Sequence, residues 1–113
     1  SGSTVKQLSG RYQLRELDLI RVRGREHPVA IFEVMGRGFQ RNTEKSLDFI
    51  GHFELGLRLY RSFEFQQAIG SFAVAQAINP DDRPCRIYIE RARHYMAKPP
   101  HSNWDGVWSL RES

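Results

Sequence analysis

The sequence predicts an α+β chain: an N-terminal β-hairpin, then three helices, then a tail that docks through tryptophan. Three observations lead there. Residues 12–34 are rich in β-forming side chains in near alternation and are broken once, by Gly24-Arg25-Glu26-His27-Pro28. From residue 43 the apolar residues recur instead at spacings of three and four, the period of a helix buried on one face. Residues 99–113 open on Pro99-Pro100 and then carry Trp104 and Trp108, too much apolar surface for a free end.

The hairpin comes first. Tyr12 to Leu17 and Asp18 to Arg23 read as one extended arm and Val29 to Val34 as the other, joined by a loop of about five residues in which glycine supplies positive φ and Pro28 ends ladder donation. The alternation slips between Glu16 and Asp18, which predicts a bulge. Two strands alone are marginal in water, so the hairpin needs a sheet or a helix to pack on. Gly36 to Asn42 is glycine-rich, polar and basic, and reads as a linker.

A first helix is expected from Asn42, Thr43 or Ser46 as cap to about Arg61, and a second from about Glu64 to Ile78, ended by Asn79-Pro80. Pro84 suits the first turn of a third helix, with Asp81 or Asp82 capping it and Cys85, Tyr88, Ala92, Tyr95 and Met96 as its apolar stripe. The chain thus divides into 1–10 (a vector-derived Ser-Gly-Ser and the end of an upstream segment), an 11–35 hairpin, a 36–42 linker, 43–98 helices and a 99–113 tail.

Length and charge bound the function. At 113 residues the chain holds one small core and is too short for a whole enzyme with a deep cleft. The longest stretch free of charge, Phe65 to Pro80, carries Gln66, Gln67, Gln76 and Asn79 and makes a poor membrane span, and no signal peptide is read. The net charge of +4 lies entirely in residues 1–45, which hold nine Lys or Arg against five Asp or Glu, so a uniformly basic nucleic-acid binder is not expected. One cysteine, Cys85, excludes an internal disulfide and a multi-cysteine zinc site, and fits a reducing cytosol.

Several chemical readings compete with plainer ones. Arg21, Arg23 and Arg25, at every second position, would share one strand face and offer a phosphate site; the plain alternative is a solvated face. Gly36-Arg37-Gly38 lacks the third glycine of a dinucleotide fingerprint, which falls on Arg41. His27, His52, His94 and His101 show no metal-ligand spacing. Cys85 is read as a buried thiol, and Asp81 and Asp82 as capping residues.

Counting back from Pro80 in a 34-residue unit, Leu55, Gly56, Leu59, Phe65, Ala68, Phe72, Ala75 and Pro80 fall on the packing places of a tetratricopeptide repeat. The helical pair resembles that family, and the third helix would be half of a second repeat. The early tryptophan place departs from the pattern and falls on His52, beside Phe53. Such a resemblance implies a protein-binding module, although about one and a half repeats are too few to build a groove.

The run Tyr12-Gln13-Leu14-Arg15-Glu16-Leu17-Asp18-Leu19-Ile20-Arg21-Val22-Arg23-Gly24-Arg25-Glu26-His27-Pro28-Val29-Ala30-Ile31-Phe32-Glu33-Val34 resembles the final hairpin of a class III adenylate or guanylate cyclase domain. Bacterial cyclases similar to this chain continue into a short helical extension with a proline pair and a segment like Trp104-Asp105-Gly106-Val107-Trp108. The resemblance implies that a lysine of the family, matched here by Arg23 or Arg25, meets the nucleotide phosphates. It implies that the segment is cytoplasmic, that any membrane anchor of the parent lies upstream, and that the parent makes cyclic nucleotide from ATP or GTP with Mg2+ or Mn2+. The partners implied are the rest of the cyclase domain and a second copy of the parent, with no nucleic acid and no membrane contact. The metal-binding, base-reading and transition-state residues of the family lie upstream of such a hairpin. This chain alone is therefore expected to hold no catalytic residue, metal or cofactor and to act structurally or in regulation. A protein-interaction module and a phosphate or nucleic-acid binder using the arginine face are the alternatives.

Overall fold

The computed structural model describes residues 7–8, 12–35 and 44–108. The expected linker, the caps Asn42 and Thr43, most of the first ten residues and the last five lie outside the described residues. The chain has the expected α+β arrangement of a hairpin followed by three helices, with one addition. Strand β1 (Gln7–Leu8) pairs with β2 (Tyr12–Ile20), which pairs with β3 (Val29–Met35), giving an antiparallel sheet in the order β1-β2-β3.

The β2–β3 ladder runs from Gln13 opposite Met35 to Glu16 opposite Phe32, and resumes with Asp18 opposite Ile31 as far as Ile20 opposite Val29. Leu17 is the extra residue, and the bulge falls where the alternation slips. Two expectations are corrected here. Strand β2 stops at Ile20 and not at Arg23, and the connection is eight residues, Arg21–Pro28, not about five. The reason lies in β3: it begins only at Val29, because Pro28 has no N–H to offer, so Arg21 and Val22 have nothing to pair with. The chain reverses inside the loop, with Gly24 at φ +84° and the Arg25 N–H donating to the Val22 carbonyl at 3.0 Å. Arg21, Arg23 and Arg25 therefore do not share a strand face.

Helix α1 (Glu44–Arg61) buries Phe49, Ile50, Phe53, Leu57 and Tyr60, α2 (Phe65–Ile78) buries Phe65, Ala68, Phe72 and Ala75, and α3 (Arg83–Ala97) buries Cys85, Tyr88, Ile89, Ala92 and Tyr95. These spacings of three and four are what one-sided burial of a helix requires. Ser46 lies inside α1 and is buried, so it is not the cap. Asp82 is the cap of α3: its carboxylate accepts the Cys85 N–H at 3.2 Å, and Pro84 sits in the first turn. Met96 is exposed, against expectation, and Ile89 takes the buried place, because α3 faces both α2 and the hairpin.

Helices α1 and α2 pack tightly at Gly56, where a Cβ would come within 2.7 Å of the Phe72 ring. Phe72 is wholly buried, edge-on to Phe53 at 5.3 Å and stacked on Tyr88 at 5.1 Å, so it cannot yield the space. Among the described residues no helix is long and apolar enough to cross a membrane.

Candidate functional site

The hairpin and the helices meet through the four residues Arg15-Glu16-Leu17-Asp18, engaged by the start of α3, the end of α1 and the middle of α3. In a regular strand Glu16 and Asp18 would point the same way. The bulge at Leu17 sets them opposite Phe32 and Ile31, consecutive residues of β3, and so turns the two carboxylates to opposite faces. Glu16 turns to the end of α1, where its Oε2 accepts from Arg61 Nη1 at 2.9 Å. Asp18 turns to α3, where it accepts from Arg91 Nη1 and from the Tyr88 hydroxyl, each at 3.2 Å. The single Tyr88 hydroxyl proton is shared with the Leu17 carbonyl, the nearer acceptor at 2.6 Å and a backbone oxygen at the bulge itself.

Arg15 is the most deeply held of the four. It is 2% exposed, and its guanidinium donates through Nη1 to Asp82 Oδ2 at 2.9 Å and through Nε to Glu33 Oε1 at 3.1 Å. Its Cζ lies 4.7 Å from the ring centre of Phe53 and 5.3 Å from that of Phe49. Burial opposes its charge, yet the bonds to Asp82 and Glu33 outweigh that and leave its pKa raised. Asp82 thus serves two elements, capping α3 and neutralising a strand residue 67 positions earlier.

The tail closes over the same junction. Trp104 lies 5.2 Å from Tyr60 and 5.0 Å from Tyr95, and its Nε1 donates to the Val107 carbonyl at 2.8 Å. Trp108 sits 5.2 Å from Tyr95 and 5.3 Å from the Arg91 guanidinium. Between them Gly106, at φ +94°, passes so near the strand that a Cβ would stand 3.1 Å from Leu19 Cδ1. Asp105 accepts from Arg21 Nη2 at 2.7 Å and from the Val107 N–H at 3.2 Å. Its partial burial would raise its pKa, but the Arg21 and Val107 hydrogen bonds prevail and lower it. Phe63, in the α1–α2 turn, holds φ +69°, a strained value for an aromatic residue, with its ring 5.5 Å from Trp104. A cleft of about 730 Å³ is lined by Asp18–Arg21 on one side and by Pro100, Trp104 and Trp108 of the tail on the other.

The residues singled out from sequence are distributed as follows. Arg23 and Arg25 are exposed in the Arg21–Pro28 loop, without an ion pair among the described residues. Gly56, Phe65, Ala68, Phe72 and Ala75 lie in the core, and Leu59 packs against it. Leu55 is exposed and Leu57 fills the buried place beside Gly56; Pro80 is exposed in the turn after α2. Trp104 and Trp108 are both partly buried on the core. Cys85 is buried, and burial, with the nearby Asp82, pushes its pKa up. Among the described residues no group of three or more His, Cys, Asp or Glu stands close enough to hold a metal ion. Sequence reasoning missed the clamp itself, Arg15 with Asp82, Glu16 with Arg61 and Asp18 with Arg91. Its one advance signal was the density of charge on a strand whose alternation slips.

No protein-family model matches the chain, and no solved structure matches it. A curated relative is the adenylate cyclase, terminal-differentiation specific, of Dictyostelium discoideum, which is 26% identical over 80 residues. The aligned region covers 71% of this chain and 4% of that protein. The likeness points to an adenylate cyclase relationship for the segment.

Proposed function

We propose that this chain is a non-catalytic C-terminal segment of a class III adenylate or guanylate cyclase of bacterial type, in which a helical extension is locked onto the last hairpin of the catalytic domain. One observation carries the reading: one strand of the hairpin is held by the helices while the other leaves an open edge and exposed apolar side chains. Its Arg15–Asp18 run is consumed by the helices and tail, while Phe32 and Val34, on one face of β3, are 41% and 51% exposed and no further strand pairs with β3 among the described residues. An open edge with apolar residues beside it is a liability that proteins ordinarily cover. The remainder of a cyclase sheet, supplied upstream by the parent, is the cover this reading assigns.

In the parent, ATP or GTP would be turned into cyclic nucleotide by residues upstream of this chain, with Mg2+ or Mn2+ held there. The described residues do not fit a metal, and no chemical step is assigned to them. Arg23 or Arg25, at the tip of the hairpin, is the contribution this segment would make, as a cation facing the nucleotide phosphates. The helical extension would fix the hairpin and so bear on how two copies of the parent pair. A peptide-binding role for the helices is less favoured, since α1 and α3 present Phe49, Phe53, Tyr88 and Arg91 to this chain's own β2.

The test is cyclic nucleotide formation by the full-length parent against the same protein ended after Gly36. A several-fold difference supports an extension that belongs to the enzyme's assembly. Equal rates sink the assembly role, and no product with either metal sinks the cyclase reading.

A further inference from the structure

The Arg21–Pro28 loop leaves the ladder after the Ile20–Val29 pair and is exposed from Arg21 to His27. Within it the turn is fixed by Gly24 and by the Arg25 N–H bond to the Val22 carbonyl. Where the turn points is decided at its base. Among the described residues, the one side-chain hydrogen bond from this loop to another element is Arg21 Nη2 to Asp105 Oδ2 at 2.7 Å. Asp105 is itself held from behind: its Oδ1 accepts the Val107 N–H, Trp104 and Trp108 anchor the chain on either side, and Gly106 rests on Leu19. The tail therefore presents a carboxylate from a platform fixed on the helical core.

We infer that Asp105 is a positioning residue, which holds Arg21 and thereby aims the Arg23-Gly24-Arg25 turn. The inference rests on the reading that this turn meets nucleotide phosphates. From Arg21 to the tip of the turn is about 10 Å of extended chain, so a swing of roughly 10° at the base moves the tip by about 2 Å. A misplacement of that size is enough to weaken a directed charge contact. Arg21 and Asp105 are 59% and 35% exposed, so their bond contributes little to folding and its effect is orientational.

Asp105→Asn keeps an oxygen for the Val107 N–H and removes the charge that holds Arg21. In the full-length parent it is expected to raise KM for the nucleoside triphosphate about three- to fivefold, the scale of an exposed ion pair. The turnover number and thermal midpoint should not change. Arg21→Ala, which removes the other partner, is expected to raise KM by a similar factor and to add nothing to Asp105→Asn. In the 113-residue chain Asp105→Asn should loosen the Gly24 amide in nuclear relaxation and leave the Trp104 indole resonance in place, which tests the geometry without any enzyme activity. If Arg23→Ala with Arg25→Ala leaves KM unchanged, the phosphate reading fails and the inference goes with it. If that pair raises KM and Asp105→Asn does not, the inference alone is overturned. A lowered midpoint for Asp105→Asn also overturns it, since the role would then be structural.

Discussion

Replacing Arg15 by methionine removes the hub of the junction while keeping most of its volume. Deleting one member of a buried ion pair costs about 3–5 kcal/mol, because the other is left buried and uncompensated. Two features place Arg15→Met at the lower end. Glu33 is 43% exposed and takes up water when released, so its bond counts for little. Asp82, 8% exposed, retains the Cys85 N–H, which stabilises its carboxylate in part. Methionine also keeps apolar contact with Phe49 and Phe53 but loses the cation over their rings. The net expectation is a loss of about 3 kcal/mol. With an unfolding slope of about 1.5 kcal/mol per molar urea, the midpoint of the 113-residue chain should fall by roughly 2 M, read from the fluorescence of the docked tryptophans. Adding Asp82→Asn should cost less than the sum of the two changes by more than about 1 kcal/mol, since the stranded charge is gone. A loss below about 1 kcal/mol, or strict additivity, would refute the clamp as drawn.

Three further outcomes follow from the geometry. Gly56→Ala should destabilise the chain by about 1–3 kcal/mol in the same urea assay, because Phe72 cannot retreat from a Cβ at 2.7 Å; a neutral result would mean that α1 and α2 stand further apart. Asp105 has a folded pKa below its ordinary 3.8, so its contribution to the docked tail is present above pH 3.8 and is lost as pH falls through the lower, folded value. The Val107 amide shift should accordingly be flat from pH 7 to 5 and titrate only below 3.8; a midpoint above 3.8 would contradict the Arg21 bond. Cys85, buried and with its pKa pushed up, should resist alkylation at pH 8 until the chain is unfolded by urea, and fast labelling of the native chain would show the helical core to be open there.

The parts of this fold that were legible in the sequence are those written in local periodicity. Phe49, Phe53, Gly56 and Tyr60 repeat at helical spacing, Pro84 after Asp82 marks a helix start, and the slip at Glu16–Asp18 locates the bulge. What escaped depends on partners far along the chain. Nothing near Arg21 shows that β3 will begin only at Val29, so β2 looks longer than it is. Leu55 and Leu57 are equally apolar, and only the hand of α1 against α2 and the hairpin buries the second. Arg15, Glu16 and Asp18 resemble solvated strand residues because their partners Asp82, Arg61 and Arg91 lie 45 to 73 positions away, a separation that leaves no periodic trace. The tail was expected to dock on apolar content alone. The way Asp105 and Gly106 meet β2 depends on one ion pair and one missing Cβ.

On the proposed reading, the hairpin is shared between the helical unit and a sheet supplied by the rest of a longer protein. Amide hydrogen exchange along Val29–Met35, compared between the 113-residue chain and the full-length parent, tests it most directly. Fast exchange is expected at the outward amides of β3 in the short chain, and protection of at least about tenfold in the parent, corresponding to about 1.4 kcal/mol of added stability per opening. Equal exchange in both would show that β3 stays an open edge in the parent, and that the hairpin serves the helices alone.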